Sequence, residues 1–322
     1  MNIRKACDLF LDYCRSSKNL SAHTLRAYEI DLNDFQRFIG PRKGVGGIDK
    51  SLLRNYLGHL KEEKGFKPTT IKRRLACLRV LFSWLEDEEI VAQSPLYRLN
   101  AKIALPHQLP RALTRDEMSR LLAFWRLRLG LPPKSQVGPR HLATLRNTRD
   151  MTSFTGMIAT ELLFATGMRV GELASVRPDD ISPDGEVITI VGKGNRQRRV
   201  FVSRNELKVL TRCYLETRAE RFPSADCTLV TPQGANASPQ YLRQIITRAA
   251  KGAGVTRRVT PHMIRHTAAT MLLEEGLDIR YVQRLLGHQS IATTQRYTHV
   301  TDEVLQKLLE EKHPRGRVMD GG

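Results

Sequence analysis

TPHMIRHTAATMLLEEGLDIRYVQRLLGHQSIATTQRYTH, residues 260–299, concentrates side chains that can bind or attack a phosphate group. His262 and Arg265 are three residues apart. His288 follows a glycine, and Tyr297 lies nine residues beyond it. Imidazole and guanidinium groups donate hydrogen bonds to anionic oxygens, and a tyrosine hydroxyl can act as a nucleophile. The stretch therefore predicts a phosphate site, to which the rest of the chain would bring a polyanion.

The first half of this stretch is predicted to be a helix. Thr260 and the proline after it are typical of an N-cap and a first helical position, so His262 falls in the first turn, where the dipole favours an anion. Helical spacing puts Arg265 and His266 on the same face as His262, which we expect to be presented to a ligand. The apolar residues lie on the other side: Ile264, Ala268, Met271 and Leu272.

Composition narrows the class of protein. The 322 residues suffice for two domains, and 52 Lys and Arg against 33 Asp and Glu give a net charge of +19. This balance favours a nucleic acid partner over a merely soluble basic surface. Five cysteines without a CxxC pair favour reduced thiols in a cytoplasmic chain over a disulfide framework or a zinc site. No apolar run is long enough to predict a membrane span, and no signal peptide is expected.

Residues 1–100 are predicted to form a four-helix bundle that binds DNA. The apolar spacing indicates helices over residues 3–14, after an N-cap at Ser21, over residues 52–60, and from Pro68 onwards. One face of the fourth helix carries four basic residues, Lys72, Arg73, Arg74 and Arg79. These are predicted to contact the DNA backbone, with a solvated helix face as the alternative.

A basic segment containing prolines, residues 101–112, is predicted to link this bundle to a larger domain over residues 113–322. Thr114 and Glu117 form a capping-box pattern at the start of a helix that is expected to run to about Trp125. Residues 126–149 then contain six basic residues and no acidic ones, with Pro-Pro and Gly-Pro breaks. They are predicted to be an exposed loop near DNA, or else a plain solvated insertion.

Two further basic residues stand at positions that suit phosphate chemistry. A long helix over residues 150–166 is expected to end at Gly167, and Arg169 then begins the next helix with Glu172 three residues on. A surface Arg–Glu pair is the alternative there. Residues 186–191 and 197–202 predict a β-hairpin with Lys193 at its tip, where a lysine could protonate a leaving oxygen or simply occupy a surface turn. Helices are predicted over residues 204–221 and 238–253.

The histidines also raise the alternative of a metal site, which the spacing disfavours. His262 and His266 are separated by four residues, with His288 and His299 later in the stretch. No glutamate follows the first histidine as in a HExxH motif, and no cysteine lies nearby. Neither a metal nor another cofactor is therefore expected.

Four motifs together resemble the tyrosine recombinase, or phage-type integrase, family, and most closely its Xer-like members. TGMRVGEL (166–173) resembles the first-arginine box, and VGKGNRQRRV (191–200) resembles the lysine hairpin. HMIRH (262–266) matches the His-x-x-Arg box, and LLGHQSIATTQRYTH (285–299) the second-histidine and tyrosine box. Each motif is weak alone, but all four in this order and spacing are specific. The basic stretch 126–149 is longer than in simple Xer proteins.

The resemblance implies a set of catalytic roles. Tyr297 would attack the scissile phosphodiester, leaving a 3′-phosphotyrosyl link and a free 5′-hydroxyl. Arg169 and Arg265 would clamp the non-bridging oxygens, and His288 would add a hydrogen bond. The remaining members would support them: His262 as proton acceptor or orienting group, Lys193 as proton donor to the leaving oxygen, and Glu172 as the residue that holds Arg169.

It also implies a fold and an assembly. The fold would be mainly α-helical with a small β-hairpin, an N-terminal SAM-like bundle and a larger catalytic domain closing around DNA as a C-shaped clamp. Four protomers on two recombination sites would exchange strands through a Holliday junction. An amphipathic helix at about residues 301–312 would dock on a neighbouring protomer, or else pack on its own chain.

The predicted function is site-specific DNA recombination, for integration or excision of a mobile element or for resolution of DNA multimers. Two alternatives remain from the residues: a type IB topoisomerase, which shares this chemistry, and a DNA-binding protein that does not cleave. The complete catalytic set disfavours the second, since binding alone needs no nucleophile. Whether a second recombinase or an accessory protein takes part is left open by the sequence.

Overall fold

The protein is mainly α-helical and divides into two compact units, Met1–Gln108 and Leu109–Gly322. The computed structural model describes residues 1–16, 20, 22–99, 112–133, 136–192, 197–287, 308–309 and 311–314. Within these ranges the fold contains twelve α-helices and one two-stranded sheet. The predicted class, mainly helical with a small β-hairpin, is confirmed.

The first unit is built from the four helices that the apolar spacing predicts. They are α1 (Ile3–Ser16), α2 (Ala22–Ile39), α3 (Lys50–Gly58), which continues as a π-helical turn (His59–Glu63), and α4 (Pro68–Asp87). The side chain of Asp49 caps α3 by accepting from the backbone N–H of Leu52, and Pro68 begins α4. One side of each helix faces the core, which includes Phe10, Leu32, Phe35, Leu53, Tyr56 and Phe82. The predicted N-cap Ser21 and the linker 101–111 lie outside the described residues.

Arg74 of α4 is not on the exposed basic face where the sequence places it. It is only 6% exposed, and its guanidinium pairs with Asp34, lies 3.3 Å from the Tyr56 hydroxyl and covers the ring of Phe66. Helical spacing explains the error, because position 74 falls among the buried positions of α4, and carboxylates from α2 compensate its charge there. The prediction that Arg74 is presented to DNA was wrong.

The other three basic residues of α4 do face solvent. Lys72, Arg73 and Arg79 are exposed, and Arg73 also pairs with the buried Asp31 at 2.5 Å. Arg73 therefore stabilises the bundle while part of its guanidinium stays accessible. For these three residues, contact with DNA stays a prediction.

The second unit is organised around one buried helix, α7 (Met151–Thr166), in which nearly every side chain is buried. Asp150 caps its N-terminus, and Gly167 ends it with φ +62° in the left-handed region. Before α7 lie α5 (Arg115–Arg128), with the predicted capping box at Thr114, and α6 (Pro139–Asn147). After it come α8 (Val170–Ser175), α9 (Asn205–Arg221), α10 (Pro239–Gly252), α11 (Pro261–Glu274) and α12 (Ile279–Leu286). Helices α5, α9, α10 and α11 all pack against α7.

Two strands form the hairpin between α8 and α9. Strands β1 (Val187–Val191) and β2 (Gln197–Phe201) pair antiparallel, with Ile190 opposite Arg198 and Ile188 opposite Val200. Ile188, Ile190 and Val200 are buried, so one face of the hairpin packs on the domain. The predicted hairpin is confirmed, while Lys193 at its tip lies outside the described residues.

Residues 126–149 are not one continuous loop, because they include the end of α5 and the whole of α6, although Arg128, Arg140, Arg146 and Arg149 are exposed as predicted. Arg126 is fully buried, donates to the Pro132 carbonyl (2.7 Å) and pairs with Glu206 of α9 at 3.1 Å. Helix α6 packs on α9 through the buried Leu145, beside an ion pair between Arg146 and Glu216. The loop prediction was wrong for Arg126 and α6, because Arg126 and Arg146 pair with acidic residues of α9 that lie 80 and 70 residues away in sequence.

The described C-terminal residues pack on their own chain. Leu309 is fully buried in a cluster with Leu272, Leu277 and Leu286. The ring nitrogen Nε2 of His313 lies 2.9 Å from the carbonyl oxygen of Ala165, near the end of α7. These contacts correspond to the cis-packed alternative for the terminal helix. All five cysteines are free thiols, and no helix among the described residues is long and apolar enough to cross a bilayer.

Replacement of Arg74 separates structural from DNA-contacting arginines in α4. We expect Arg74→Ala to lower the free energy of unfolding by about 3 kcal/mol, because it removes the charged partner of the half-buried Asp34 and one of the two arginines beside the buried Asp31. The exposed Arg79→Ala should change it by no more than about 0.5 kcal/mol. Urea unfolding of the full chain measures both, and equal effects would contradict the assignment.

A glycine inside α7 should resist a substitution that normally stabilises helices. A Cβ on Gly156 would lie 2.5 Å from Cζ2 and 2.7 Å from Cζ3 of Trp125, whose indole is fixed by a hydrogen bond to Thr160. We expect Gly156→Ala to destabilise the protein by about 1–3 kcal/mol.

The matched control for that substitution is Gly171→Ala in α8, where no atom lies within 4 Å of the added Cβ. It should stabilise the protein by up to about 1 kcal/mol. Thermal unfolding compares the two variants, and a gain in stability from Gly156→Ala would show that the contact with Trp125 is not tight.

Candidate active site

Arg169 stands at the N-terminus of α8, where the sequence predicts it. Its backbone N–H donates to Glu172 Oε2 (2.6 Å), and its guanidinium Nη1 donates to Oε1 of the same carboxylate (2.9 Å). The positive φ of Gly167 turns the chain sharply between α7 and this point. The Arg169 side chain is about half exposed, at 48%, so one side of the guanidinium is held while the other is open to a ligand.

Glu172 is the buried centre of this arrangement, with its side chain 7% exposed. Arg198 of β2 grips both of its oxygens, Nη1 to Oε1 at 2.8 Å and Nη2 to Oε2 at 2.9 Å. Burial would raise the pKa of the carboxyl group. The hydrogen bonds from Arg198 and Arg169, with the charge of Arg198, instead hold the pKa of Glu172 below its ordinary value. Glu172 is therefore ionised at neutral pH and shared by two arginines.

Sequence reasoning missed Arg198, although the strand pattern contained a signal for it. On β2, positions 198 and 200 lie on the same face, and Val200 is fully buried. An arginine on the inward face of a strand needs a carboxylate partner. The nearest acidic residue within a recognised motif is Glu172, so the pair could have been predicted.

Arg265 lies on the inward side of α11. The side chain of Thr260 caps the N-terminus of this helix. The arginine is 5% exposed, whereas His262 and His266 on the same helix are exposed. Its Nη2 donates to the carbonyl oxygen of Leu286 (2.7 Å). The predicted face is thus divided: the histidines point outward, and Arg265 lies between α11 and the C-terminal end of α12.

The other terminal nitrogen of Arg265 is available for a ligand. Among the described residues, Nη1 is buried and has no hydrogen-bond partner. Burial, followed by repulsion from Arg169 and Arg198 with partial compensation by Glu172, lowers the pKa of Arg265 to about 10. The group stays protonated at neutral pH, and its positive charge is only partly compensated inside the protein.

Gly287 ends α12 with φ +64°, the left-handed conformation that glycine adopts without strain. A Cβ at this position would lie 3.0 Å from Arg198 Nε and 3.1 Å from its Cδ and Cζ. The turn at Gly287 therefore rests directly on the Arg198 side chain. It also leads the chain towards His288 and Tyr297, which lie outside the described residues.

The structure thus brings together three of the seven side chains predicted for the site: Arg169, Glu172 and Arg265. It adds Arg198, which together with Arg169 holds the Glu172 carboxylate. Arg265 lies near enough for its charge to interact with all three groups, and the four residues carry a formal charge of +2. His262 is exposed near the start of the helix that carries Arg265. Excess positive charge with an unpartnered buried donor suits a phosphate anion.

The described residues contain no group of three or more His, Cys, Asp or Glu side chains arranged to hold a metal ion. Of the histidines weighed for a metal site, His288 and His299 fall outside these residues. The geometry around Glu172 is that of an anion site, since its carboxylate oxygens are already taken by guanidinium groups.

Comparison with known proteins identifies the family. The phage integrase family matches residues 138–304, and the phage integrase N-terminal SAM-like domain matches residues 7–89. Tyrosine recombinase XerC of Listeria innocua is 34% identical over 313 residues, covering 95% of this chain and 96% of the relative. Tyrosine recombinase XerD of Rhizobium meliloti is 35% identical over 315 residues, covering 95% and 94%.

A solved structure has the same fold. The lambda integrase tetramer bound to a Holliday junction superposes with a TM-score of 0.64 at 18% identity, over 91% of this chain and 76% of that one. At this identity the superposition shows only that the fold is shared. The assignment to the family rests on the two recombinase relatives. The chain therefore belongs to the phage integrase family and is a tyrosine-type site-specific recombinase with Xer-like relatives.

Proposed function

We propose that this recombinase cleaves and rejoins DNA strands through a 3′-phosphotyrosyl intermediate on Tyr297, and that it exchanges strands between two sites through a Holliday junction. The observation that carries the proposal is the convergence of Arg169 and Arg265 from separate motifs beside Glu172, with a buried Arg265 nitrogen left without a partner. A partly compensated pair of arginines is what a phosphodiester with developing negative charge requires.

The covalent step balances without an external energy source. The Tyr297 oxygen forms a bond to phosphorus while the bond from phosphorus to the 5′-oxygen breaks. His262 accepts or steers the tyrosine proton, and Lys193 gives a proton to the leaving 5′-oxygen. A tyrosine with a pKa near 10 is only about 0.1% ionised at neutral pH, so it needs this help. The phosphotyrosyl link keeps the bond energy, and rejoining reverses the step.

Positive charge at the phosphorus comes from the chain itself. Arg169 and Arg265 bind the two non-bridging oxygens, His288 adds a hydrogen bond, and Glu172 fixes Arg169. Each such donor contributes on the order of 10²–10³ in rate. In this scheme the guanidinium groups do the work that a divalent ion performs in metal-dependent phosphoryl transfer, and no metal or cofactor is needed.

We infer double-stranded recombination sites and a tetramer of this chain as the assembly. Support comes from the net charge of +19, from the exposed Lys72, Arg73 and Arg79 on α4, and from the lambda integrase tetramer that was solved on a Holliday junction. Two biological roles fit this chemistry: integration or excision of a mobile element, and resolution of DNA multimers.

Tyr297→Phe tests the nucleophile. On nicked suicide duplexes carrying candidate sites, wild type should accumulate a covalent protein–DNA complex. The short fragment that carries the free 5′-hydroxyl dissociates after cleavage, so the strand cannot be rejoined. The variant should form none while it binds the same duplexes with unchanged affinity. Denaturing gels measure the covalent complex, and mobility shifts measure duplex binding. A covalent complex with Tyr297→Phe would show that another residue is the nucleophile.

Arg265→Met tests whether the buried charge of Arg265 contributes to catalysis and not to the stability of the folded protein. Covalent complex formation should slow by on the order of 10²–10³. The free energy of unfolding should change by no more than about 1 kcal/mol, because relief of a repelled, buried charge offsets the lost hydrogen bond to Leu286. Single-turnover cleavage and urea unfolding are compared on one preparation. A loss of stability of several kcal/mol would mean that Arg265 mainly holds the fold.

A further inference from the structure

We propose that Arg198 is a positioning residue for this recombinase: it orients Glu172, and thereby Arg169, while supporting the Gly287 turn that leads to the segment with His288 and Tyr297. The inference rests on the proposed function, because it assigns a role within that chemistry. Arg198 lies within the VGKGNRQRRV stretch (191–200), but it carries none of the catalytic roles assigned to the site. It stands on β2, in the hairpin that carries Lys193, so it joins three motifs that are far apart in sequence.

The Glu172 carboxylate is shared between Arg198 and Arg169. Arg198 occupies both oxygens with its two terminal nitrogens, at 2.8 and 2.9 Å. Arg169 contacts Oε1 through its Nη1 and Oε2 through its backbone N–H. Because the Arg198 fork fixes the plane of the carboxylate, the Arg169 guanidinium is held through Nη1 and keeps its outer donors for a phosphate.

Removal of Arg198 would change this balance. Glu172 would then face a single guanidinium, and the carboxylate could rotate to pair with Arg169 through two nitrogens. Such a pair would take up the donors and much of the charge that a phosphate needs. By competing for the Glu172 carboxylate, Arg198 therefore keeps the outer donors of Arg169 available for a phosphate.

The turn at Gly287 is held in place by two arginines of the site. Arg198 passes so close beneath Gly287 that a Cβ there would lie 3.0–3.1 Å from Nε, Cδ and Cζ. The residue before it, Leu286, is held through its carbonyl by Arg265. Arg265 and Arg198 thus fix two consecutive residues, Leu286 and Gly287, at the end of α12. The position from which the chain continues to His288 is therefore fixed.

The chemistry requires an arginine at this position. A guanidinium is a planar fork that meets both carboxylate oxygens and presents a flat face to the backbone of a turn. A lysine keeps the charge but offers one ammonium, which cannot fix the carboxylate plane. Arg198→Lys is therefore the decisive variant, since it preserves charge and most of the side-chain stem.

The experiment compares Arg198→Lys, Arg198→Ala and the control Arg199→Ala, an exposed arginine on the same strand. Single-turnover formation of the covalent complex is measured on nicked suicide duplexes at saturating protein. Both Arg198 variants should slow it by about 10²-fold, as expected for a misplaced catalytic group. Arg199→Ala should stay near the wild-type rate. Binding of uncleaved duplex should weaken no more for the Arg198 variants than for the control.

Two readouts distinguish positioning from a general loss of structure. Millimolar guanidinium should partly restore the rate of Arg198→Ala, and the thermal unfolding midpoint of Arg198→Lys should stay near that of wild type. In addition, Glu172→Gln should slow Arg198→Ala much less than it slows wild type, because the two residues act through one contact.

Each outcome decides the matter. Wild-type rates with Arg198→Lys, or additive losses for Glu172→Gln and Arg198→Ala, would overturn the inference while the proposed function stands. Weaker duplex binding for the Arg198 variants than for Arg199→Ala, with unchanged cleavage at saturation, would make Arg198 a DNA contact and also overturn it. If wild type itself forms no covalent complex, the proposed function fails first and the inference with it.

Discussion

The carboxylate of Glu172 is the constraint on which the candidate site depends. Three guanidinium groups can be collected within one domain only if an ionised partner lies among them, because uncompensated buried charge is strongly unfavourable. Glu172 compensates one charge and leaves the rest for a ligand. Its own ionisation depends in turn on the hydrogen bonds from Arg198 and Arg169, so the members of the network are stable only together.

The buried helix α7 supplies the rigidity that such a network requires. Its side chains pack on all sides, and hydrogen bonds from Trp125 to Thr160 and between Thr155 and Tyr214 fix its neighbours. Gly167 then ends the helix at a defined residue, only two positions before Arg169. A site whose charged members repel one another is destabilising in itself, and the well-packed helix beneath it provides the compensating stability.

Local patterns predicted much of this structure, and distant pairings escaped prediction. The capping box at Thr114, the Gly167 cap and the Arg169–Glu172 pair involve residues within a few positions, so spacing alone finds them. The bidentate contact of Arg198 spans 26 residues, and the partners of Arg126 and Arg146 lie on α9. Arg74 shows the same limit, because its carboxylate partners come from another helix. For Arg74, Arg126 and Arg146 the sequence contains no sign of the acidic partner, whereas the inward strand position of Arg198 and the motif containing Glu172 would have indicated that pair.

The contact between His313 and Ala165 has a consequence for the stability of the end of α7. Ala165 precedes Arg169 by four residues, so the tail reaches the end of the very helix that leads into the site. Withdrawal of the tail would uncover the Ala165 carbonyl and the apolar surface around Leu309, which costs free energy. Packing of the described C-terminal residues therefore stabilises the end of α7, from which the chain turns to Arg169.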